Sequence, residues 1–305
     1  MGTLSIAILG PGGVGGFLAA ALARAGTADV TVVAREPTAA LIARDGIAVE
    51  SVRLGDFVAQ PAAVPRLDAA VDVLLVATKA AGLDAALERV GAEPALVVPL
   101  LNGLDHVARL RGRFGPRAVA GTIRIEADRP RPGRVVQTSP FLFVDVASDD
   151  PGPRPRIDAL AAALDAAGVP VRIGSSEAQV LWSKLVRLNA LACVTSAFDA
   201  PLGEIRDDPE RRPVLEACVR ETAAVARADG AAIDPERTLA ELDEAHATLG
   251  SSMRRDIAAG RPPELDAIAG AVLRAGARLG VGCPTVARLA DRIAVRAGVP
   301  APTAA

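Results

Sequence analysis

The stretch that most constrains this chain is "LSIAILGPGGVGGFLAAALARAG", residues 4–26. An apolar, β-branched run passes directly into glycines at 10, 12 and 15, and then into an Ala/Leu segment that reads as a helix. In this G-x-G-x-x-G spacing the first glycine makes a tight turn. The second lets backbone approach a pyrophosphate, and the third lets helix and strand pack closely. The helix N-terminus adds unpaired N–H groups and the positive end of its dipole. The spacing alone is also met in glycine-rich turns that hold nothing. Its strand–turn–helix setting is what selects dinucleotide binding, with Gly10, Gly12, Gly13, Val14 and Gly15 as candidate cofactor contacts.

The chain continues as that unit demands. Apolar runs at 29–35, 72–79, 95–102 and 117–127 alternate with helical stretches, the pattern of a parallel sheet covered on both faces. Residues 46–63 read as strand and turn without a helix, and 133–148 as a hairpin, both expected to extend the sheet with antiparallel strands. "GVPVRIGSSEA" (168–178) gives one last short strand, and from Ser176 onward the pattern is helical throughout. The expected fold class is α/β, a Rossmann-type doubly wound sheet followed by an all-helical C-terminal domain. A length of 305 residues suits two cores better than one, since single cores stop growing near roughly 250 residues. The expected domains are 1–174, binding the cofactor, and 175–305, helical and carrying substrate and catalytic groups.

The totals exclude several partner classes. A formal net charge of −2, with acids and bases interspersed, provides no basic face for nucleic acid. No run approaches the ~18 uninterrupted apolar residues that would span a bilayer. The N-terminus enters a strand without a basic segment, so no secretion signal is expected and the cytoplasm is the default location. Cys193, Cys218 and Cys283 are widely spaced among apolar neighbours, as small core residues in a reducing compartment are. With only His106 and His246 and no paired spacing, no metal site is expected. Among oligomers a homodimer is the default.

The cofactor type is argued from the end of the second strand, where an NAD enzyme places a carboxylate for the ribose 2′-OH. Here Arg35 stands there, followed by Glu36. A guanidinium holds a 2′-phosphate through forked, charge-assisted hydrogen bonds, and this favours NADPH. The other arrangement, Glu36 turned in and Arg35 solvated, favours NAD. Of the 34 basic residues only Lys79 and Lys184 are lysines. Lys79 ends the strand "LLVATK", at the sheet edge where open α/β folds bind ligands. Lys184 interrupts the apolar helix "EAQVLWSKLVRLNALACVTSAF". Arginine does not release its proton at a useful pH, whereas a partly buried lysine does, so a proton-donating position accepts only the latter. Two plain readings stand beside this one: a side chain snorkelling to water, or a remnant of compositional drift towards arginine. In "LGSSMRRDIAAGRPPELDAIAG", Ser252 and Glu264 read first as a helix cap and a helix-start acid. They also offer a hydroxyl for substrate and a carboxylate for an amide, a ribose or the lysine.

Taken together, "GPGGVGG", Arg35, "TKA" at 78–80, "LLNGL" at 100–104, "PG" at 132–133, "WSK" at 182–184, "PLGEI" at 201–205 and "SSMRRDIAAGRPPELD" at 251–266 resemble the ketopantoate reductases (2-dehydropantoate 2-reductases). The resemblance covers nearly the whole chain. It implies that NADPH reduces the ketone of 2-dehydropantoate, with Lys184 as the general acid, and that the product serves pantothenate biosynthesis. By the same likeness Asn102 touches nicotinamide and substrate, Ser252 binds substrate, Glu264 contacts the cofactor side, and Lys79 and the backbone near Glu126 line the cofactor site. The family commonly carries asparagine four and eight residues after that lysine and before the glycine of the P-x-G turn. This chain has Leu188, Ala192 and Leu202 there. Asn189, one residue and about 100° away on a helix, is the remaining amide candidate for substrate. The expected function is therefore NADPH-dependent reduction of a 2-keto acid. The alternatives are an enzyme for another 2-keto or 2-hydroxy acid, and an NADP-binding sensor without turnover.

Overall fold

β1 (Leu4–Leu9) lies at the centre of a five-stranded parallel sheet, and its inner residues Ile6 to Leu9 are buried. The computed structural model describes residues 3–303. After β1 come α1 (Gly13–Ala25), β2 (Ala28–Val33), α2 (Glu36–Asp45), β3 (Ile47–Ser51), β4 (Phe57–Ala59), β5 (Ala62–Val64) and β6 (Val73–Val76). Then follow α3 (Leu83–Leu87), β7 (Leu96–Pro99), α4 (Asp105–Phe114), β8 (Ala120–Arg124), β9 (Ala127–Arg131), β10 (Arg134–Gln137), β11 (Phe143–Ala147), α5 (Arg154–Ala166) and β12 (Val171–Ile173). The main sheet runs β5-β2-β1-β6-β7 with every pair parallel, the Rossmann arrangement. The strand order reverses between β1 and β6, and ligands of such sheets bind at the carboxyl edge there.

The intermediate strands depart from expectation. Ile47–Ser51 and Phe57–Ala59 do not extend the main sheet but enter a second one, ordered β4-β3-β10-β9, in which β3 pairs with β10 in parallel. β5 does join the main sheet, yet as a parallel edge strand on β2. The stretch 133–148 is no hairpin: β10 and β11 part into different sheets, β11 lying between β8 and β12. The reason lies in the bend between them. Ser139, fully buried, accepts from Glu126 N (2.9 Å) and Gln137 Nε2 (3.0 Å) and donates to Phe141 O (2.7 Å). Local pattern specifies a strand, but the bend held by these bonds separates β10 from β11.

α1 is buried from Gly15 through Leu22, because it packs on the second sheet as well as on the main one. A Cβ on Gly16 would come within 2.9 Å of Val135 in β10.

The chain divides into two compact units: residues up to Leu101 with His106–Val180, and Asn102–Asp105 with the residues from Leu181 on. The second contains most of α6 (Glu177–Phe198), then α7 (Leu202–Arg206), α8 (Arg212–Ala228), α9 (Pro235–Glu244), α10 (Ser252–Ala258), α11 (Ala271–Leu279) and α12 (Pro284–Ala297). A π-helical turn, Asp266–Gly270, leads into α11. α8 packs against α7, α9, α11 and α12, so its amphipathic face is covered on several sides. Trp182 is fully buried and donates through Nε1 to Asp229 at 2.9 Å, satisfying its one polar atom. Among the described residues no helix is long and apolar enough to cross a membrane.

Candidate active site

The glycine loop is tight inside and open outside. Gly10 has φ +91°, in the left-handed region, and a Cβ there would lie 2.8 Å from Thr78 Cγ2 at the end of β6. On Gly15 a Cβ would meet Gly10 O at 2.2 Å, and on Gly13 it would meet Ala127 O at 2.2 Å. Gly12 is the contrast: beyond its own chain neighbours and helix, no atom of the described residues lies within 4 Å of that position. Gly12 also occupies the cap position of α1 without a side-chain cap, and no acidic residue stands in the helix's first turn. Unpaired N–H groups, an open backbone edge and the helix dipole together fit a dinucleotide pyrophosphate. Val14 is half-buried one residue into the helix.

The other cofactor candidates surround this loop unequally. Arg35 directly precedes α2, and its carbonyl accepts from Thr38 N and Ala39 N, each at 2.9 Å. Its side chain is exposed and makes no ion pair among the described residues, and the same is true of Glu36. Lys79 is exposed just past the carboxyl end of β6, next to Thr78, whose Oγ1 is buried without a hydrogen-bond partner among the described residues. Glu126 immediately precedes Ala127, the residue against Gly13. The expected role for its backbone meets an obstacle: Glu126 N is taken by Ser139 Oγ and Glu126 O accepts from Thr138 N at 3.0 Å. Its half-buried side chain is the part left to face a ligand.

In the helical unit three sequence-distant candidates meet. Lys184 Nζ donates to Asn102 Oδ1 at 2.8 Å, and Asn102 Nδ2 donates to Glu264 Oε2 at 3.0 Å. The amide therefore turns its oxygen to the ammonium and its NH₂ to the carboxylate, and a reversed amide would oppose both. All three side chains are half-buried, which strengthens these charge-assisted bonds over their worth in water. Glu264 stands directly before its helix, its carbonyl accepting from Ile268 N at 3.0 Å. Sequence spacing alone offered Glu264 several partners, and the structure supplies the Asn102 amide. Gly103 follows, with φ +92°, and a Cβ on it would lie 2.0 Å from Ala267 O. Asn-Gly within "LLNGL" was the visible signal for such a close approach.

Two expectations need correction. The cap of α10 is Ser251, not Ser252: Ser251 accepts from Arg254 N at 3.1 Å and shares a 2.9 Å hydrogen bond with Thr195. Ser252 is the exposed first residue of the helix, so capping does not occupy its hydroxyl. Asn189 is fully buried and turned to α8, donating to Thr222 Oγ1 at 2.9 Å and accepting from Cys193 Sγ at 3.3 Å. Both ends of its amide are thus engaged in core hydrogen bonds and not left open to a ligand. Of the residues in the family's amide positions, Leu188 is half-buried while Ala192 and Leu202 are buried. Two of the cysteines are held in the thiol form. The neighbouring Cys193 and burial push Cys218 well up, and burial with Glu221 pushes Cys283 up to about 11.

The family model for ketopantoate reductase PanE/ApbA matches residues 6–144, and that for the ketopantoate reductase PanE/ApbA C terminal matches 178–297. A 2-dehydropantoate 2-reductase of Caulobacter vibrioides is 35% identical over 290 residues, 92% of this chain and 94% of the relative. The uncharacterized oxidoreductase YkpB of Bacillus subtilis is 28% identical over 92% of this chain and 94% of its own. The crystal structure of 2-dehydropantoate 2-reductase from Geobacter metallireducens aligns with a TM-score of 0.86 at 28% identity, covering 95% of this chain and 99% of that one. A D-mandelate dehydrogenase solved with NADH and anilino(oxo)acetate has a TM-score of 0.85 at 21% identity, covering 97% and 99%, a likeness of fold alone. By family models spanning both units and by identity along nearly its full length, this chain belongs to the ketopantoate reductase family and is an oxidoreductase acting on CH–OH groups.

Proposed function

We propose that the protein reduces a 2-keto acid with NADPH, converting 2-dehydropantoate to pantoate in the cytoplasm as a step of pantothenate biosynthesis. The observation that carries this reading is the Lys184–Asn102–Glu264 chain, with bonds of 2.8 and 3.0 Å. NADPH, when bound, supplies a hydride to the ketone carbon. Charge then develops on the ketone oxygen, and the Lys184 ammonium gives it a proton, leaving an alcohol and a neutral amine that regains its proton from solvent. Asn102 holds the ammonium through its Oδ1 and is itself held by Glu264, so the donor's geometry is set before substrate arrives. Ser252, exposed at the start of α10, offers a hydroxyl to substrate. On the cofactor side, the Gly10–Gly15 loop takes the pyrophosphate and the unpaired Arg35 guanidinium takes the 2′-phosphate, with Lys79 and Glu126 beside them.

A second reading concerns the substrate. The face one turn beyond Lys184 carries Leu188, with Ala192 further along, and neither hydrogen-bonds a substrate hydroxyl. This favours a 2-keto acid with a more apolar side chain. The shared fold does not choose between substrates.

A panel of 2-keto acids assayed by NADPH oxidation tests both readings. The expected result is turnover with 2-dehydropantoate, or with an apolar relative. It should fall about 10²–10⁴-fold in Lys184→Ala, with Lys184→Arg no better, while NADPH still binds. Tight NADPH binding without oxidation of any panel member would instead mark a sensor.

A further inference from the structure

The loop that carries Asn102 is short, partly exposed and encoded between a strand and a helix of the sheet unit, yet Asn102–Asp105 groups with the helical unit. Three contacts hold it there. At one end Asn102 binds Glu264. In the middle Gly103 lies so close to the π-helical turn that any side chain would strike Ala267 O. At the other end Arg274, on α11 and only 25% exposed, bridges the two segments. Its Nη2 and Nε donate to Asp105 Oδ2 at 2.6 and 3.2 Å, and its Nη1 donates to Asp266 Oδ1 at 2.7 Å. Its Nη2 also reaches the Asp266 backbone oxygen at 3.0 Å. Asp105 lies three residues after Asn102, and Asp266 two residues after Glu264.

We infer that Arg274 is a positioning residue for the reaction, a clamp that fixes the separation of the Asn102 and Glu264 segments and so keeps the Asn102 amide oxygen on Lys184. This rests on the reading of Lys184 as the proton donor. The geometry explains why an arginine serves: a planar fork satisfies two carboxylates and a carbonyl at once, and a lysine ammonium has neither the reach nor the number of fixed donors. Among the described residues no other hydrogen bond or ion pair ties Asp105 to the π-turn, so losing the fork leaves the loop held by the Asn102–Glu264 bond and by packing at Gly103. π-Turns are often placed where a helix must serve a site. Here the turn brings Asp266 to Arg274 and Ala267 to Gly103.

The test is a double-mutant cycle on the full chain, reading kcat with the best keto acid of the panel and, separately, NADPH affinity by fluorescence. Arg274→Ala should lower kcat about 10- to 100-fold, the range expected for a misplacement near 1 Å, and leave NADPH affinity within about twofold. Arg274→Lys should recover part of the loss. In an Asn102→Ala background, Arg274→Ala should cause no further loss, since its effect travels through the amide. The same fold-loss in both backgrounds, or unchanged kcat in Arg274→Ala while Asn102→Ala is impaired, would overturn the clamp alone. If Asn102→Ala itself keeps full kcat, the reading of the lysine site falls and the clamp with it. Should Arg274→Ala fail to fold, Asp266→Asn, which keeps the Arg274–Asp105 pair, takes its place in the cycle with the same outcomes.

Discussion

Arg35 shows how far a single residue is legible. Its position at the end of β2 follows from the strand pattern, and its chemistry follows from its type. The structure adds that the guanidinium is exposed and, among the described residues, without an ion pair, so no carboxylate among them competes for it. Arg35→Ala should weaken NADPH about 10- to 100-fold, the equivalent of charge-assisted hydrogen bonds worth ~1.5–3 kcal/mol, and leave NADH nearly unchanged. Equilibrium titration of both cofactors checks this, and equal affinity for the two in the unaltered protein would remove the 2′-phosphate argument. Ser252 and Asn189 mark the opposite case. Adjacent serines have the same capping chemistry, and Thr195, more than fifty residues away, decides that Ser251 turns inward. Asn189 lies one position from Leu188, and on a helix that single step of about 100° turns its amide to Thr222 in the core.

At the scale of elements, the strand–turn–helix opening separates two jobs that one motif hides. Gly15→Ala would force a Cβ to 2.2 Å from the Gly10 carbonyl, a backbone clash that no rotamer relieves. A loss of ~1–3 kcal/mol is expected, seen as a lower melting temperature together with lost cofactor binding. Gly12 has φ −73° and open space beside it. Gly12→Ala should therefore melt within about 2 °C of the unaltered protein, yet bind NADPH about tenfold more weakly because the methyl stands where the pyrophosphate approaches. Strand existence was readable from period and composition along 4–9, 28–33, 73–76 and 96–99. Sheet membership was not, because β3, β4 and β10 find partners through pairings that span up to 86 residues, such as Ser51 with Gln137.

For the molecule as a whole, Asp199 shows how the helical unit is tied. It ends α6 at φ +51°, where glycine is usual and Asp or Asn is tolerated. Its carboxylate pairs with Arg254 of α10 at 3.0 Å and with Arg296 of α12, so one residue joins three helices. Hydrogen bonds from Arg296 and then Arg254 hold its pKa below the ordinary carboxylate value. A lowered folded pKa stabilises fully above the unfolded value of about 3.9, and that contribution is lost as pH falls through the folded value. With the side chain 52% exposed, screening limits each pair to ~0.5–1 kcal/mol. Urea unfolding should therefore find Asp199→Asn about 1 kcal/mol less stable at pH 7 and the gap narrowing below about pH 4. Asp199→Ala should lose more, because alanine resists a left-handed backbone.

Sequence by itself determined the α/β class, the glycine loop between strand and helix, the helical second half and the family, because these depend on periodicity and on motifs whose residues are neighbours. Lys184 was conspicuous for its chemistry in an arginine-rich chain. Only the tertiary structure decided which groups meet that lysine. Asn102, Glu264 and Arg274 come together from positions up to 172 residues apart, and their meeting depends on a glycine that accepts a left-handed turn and on a π-helical turn. Local pattern encodes neither contact, because hydrogen bonds between distant segments are set by how whole helices pack.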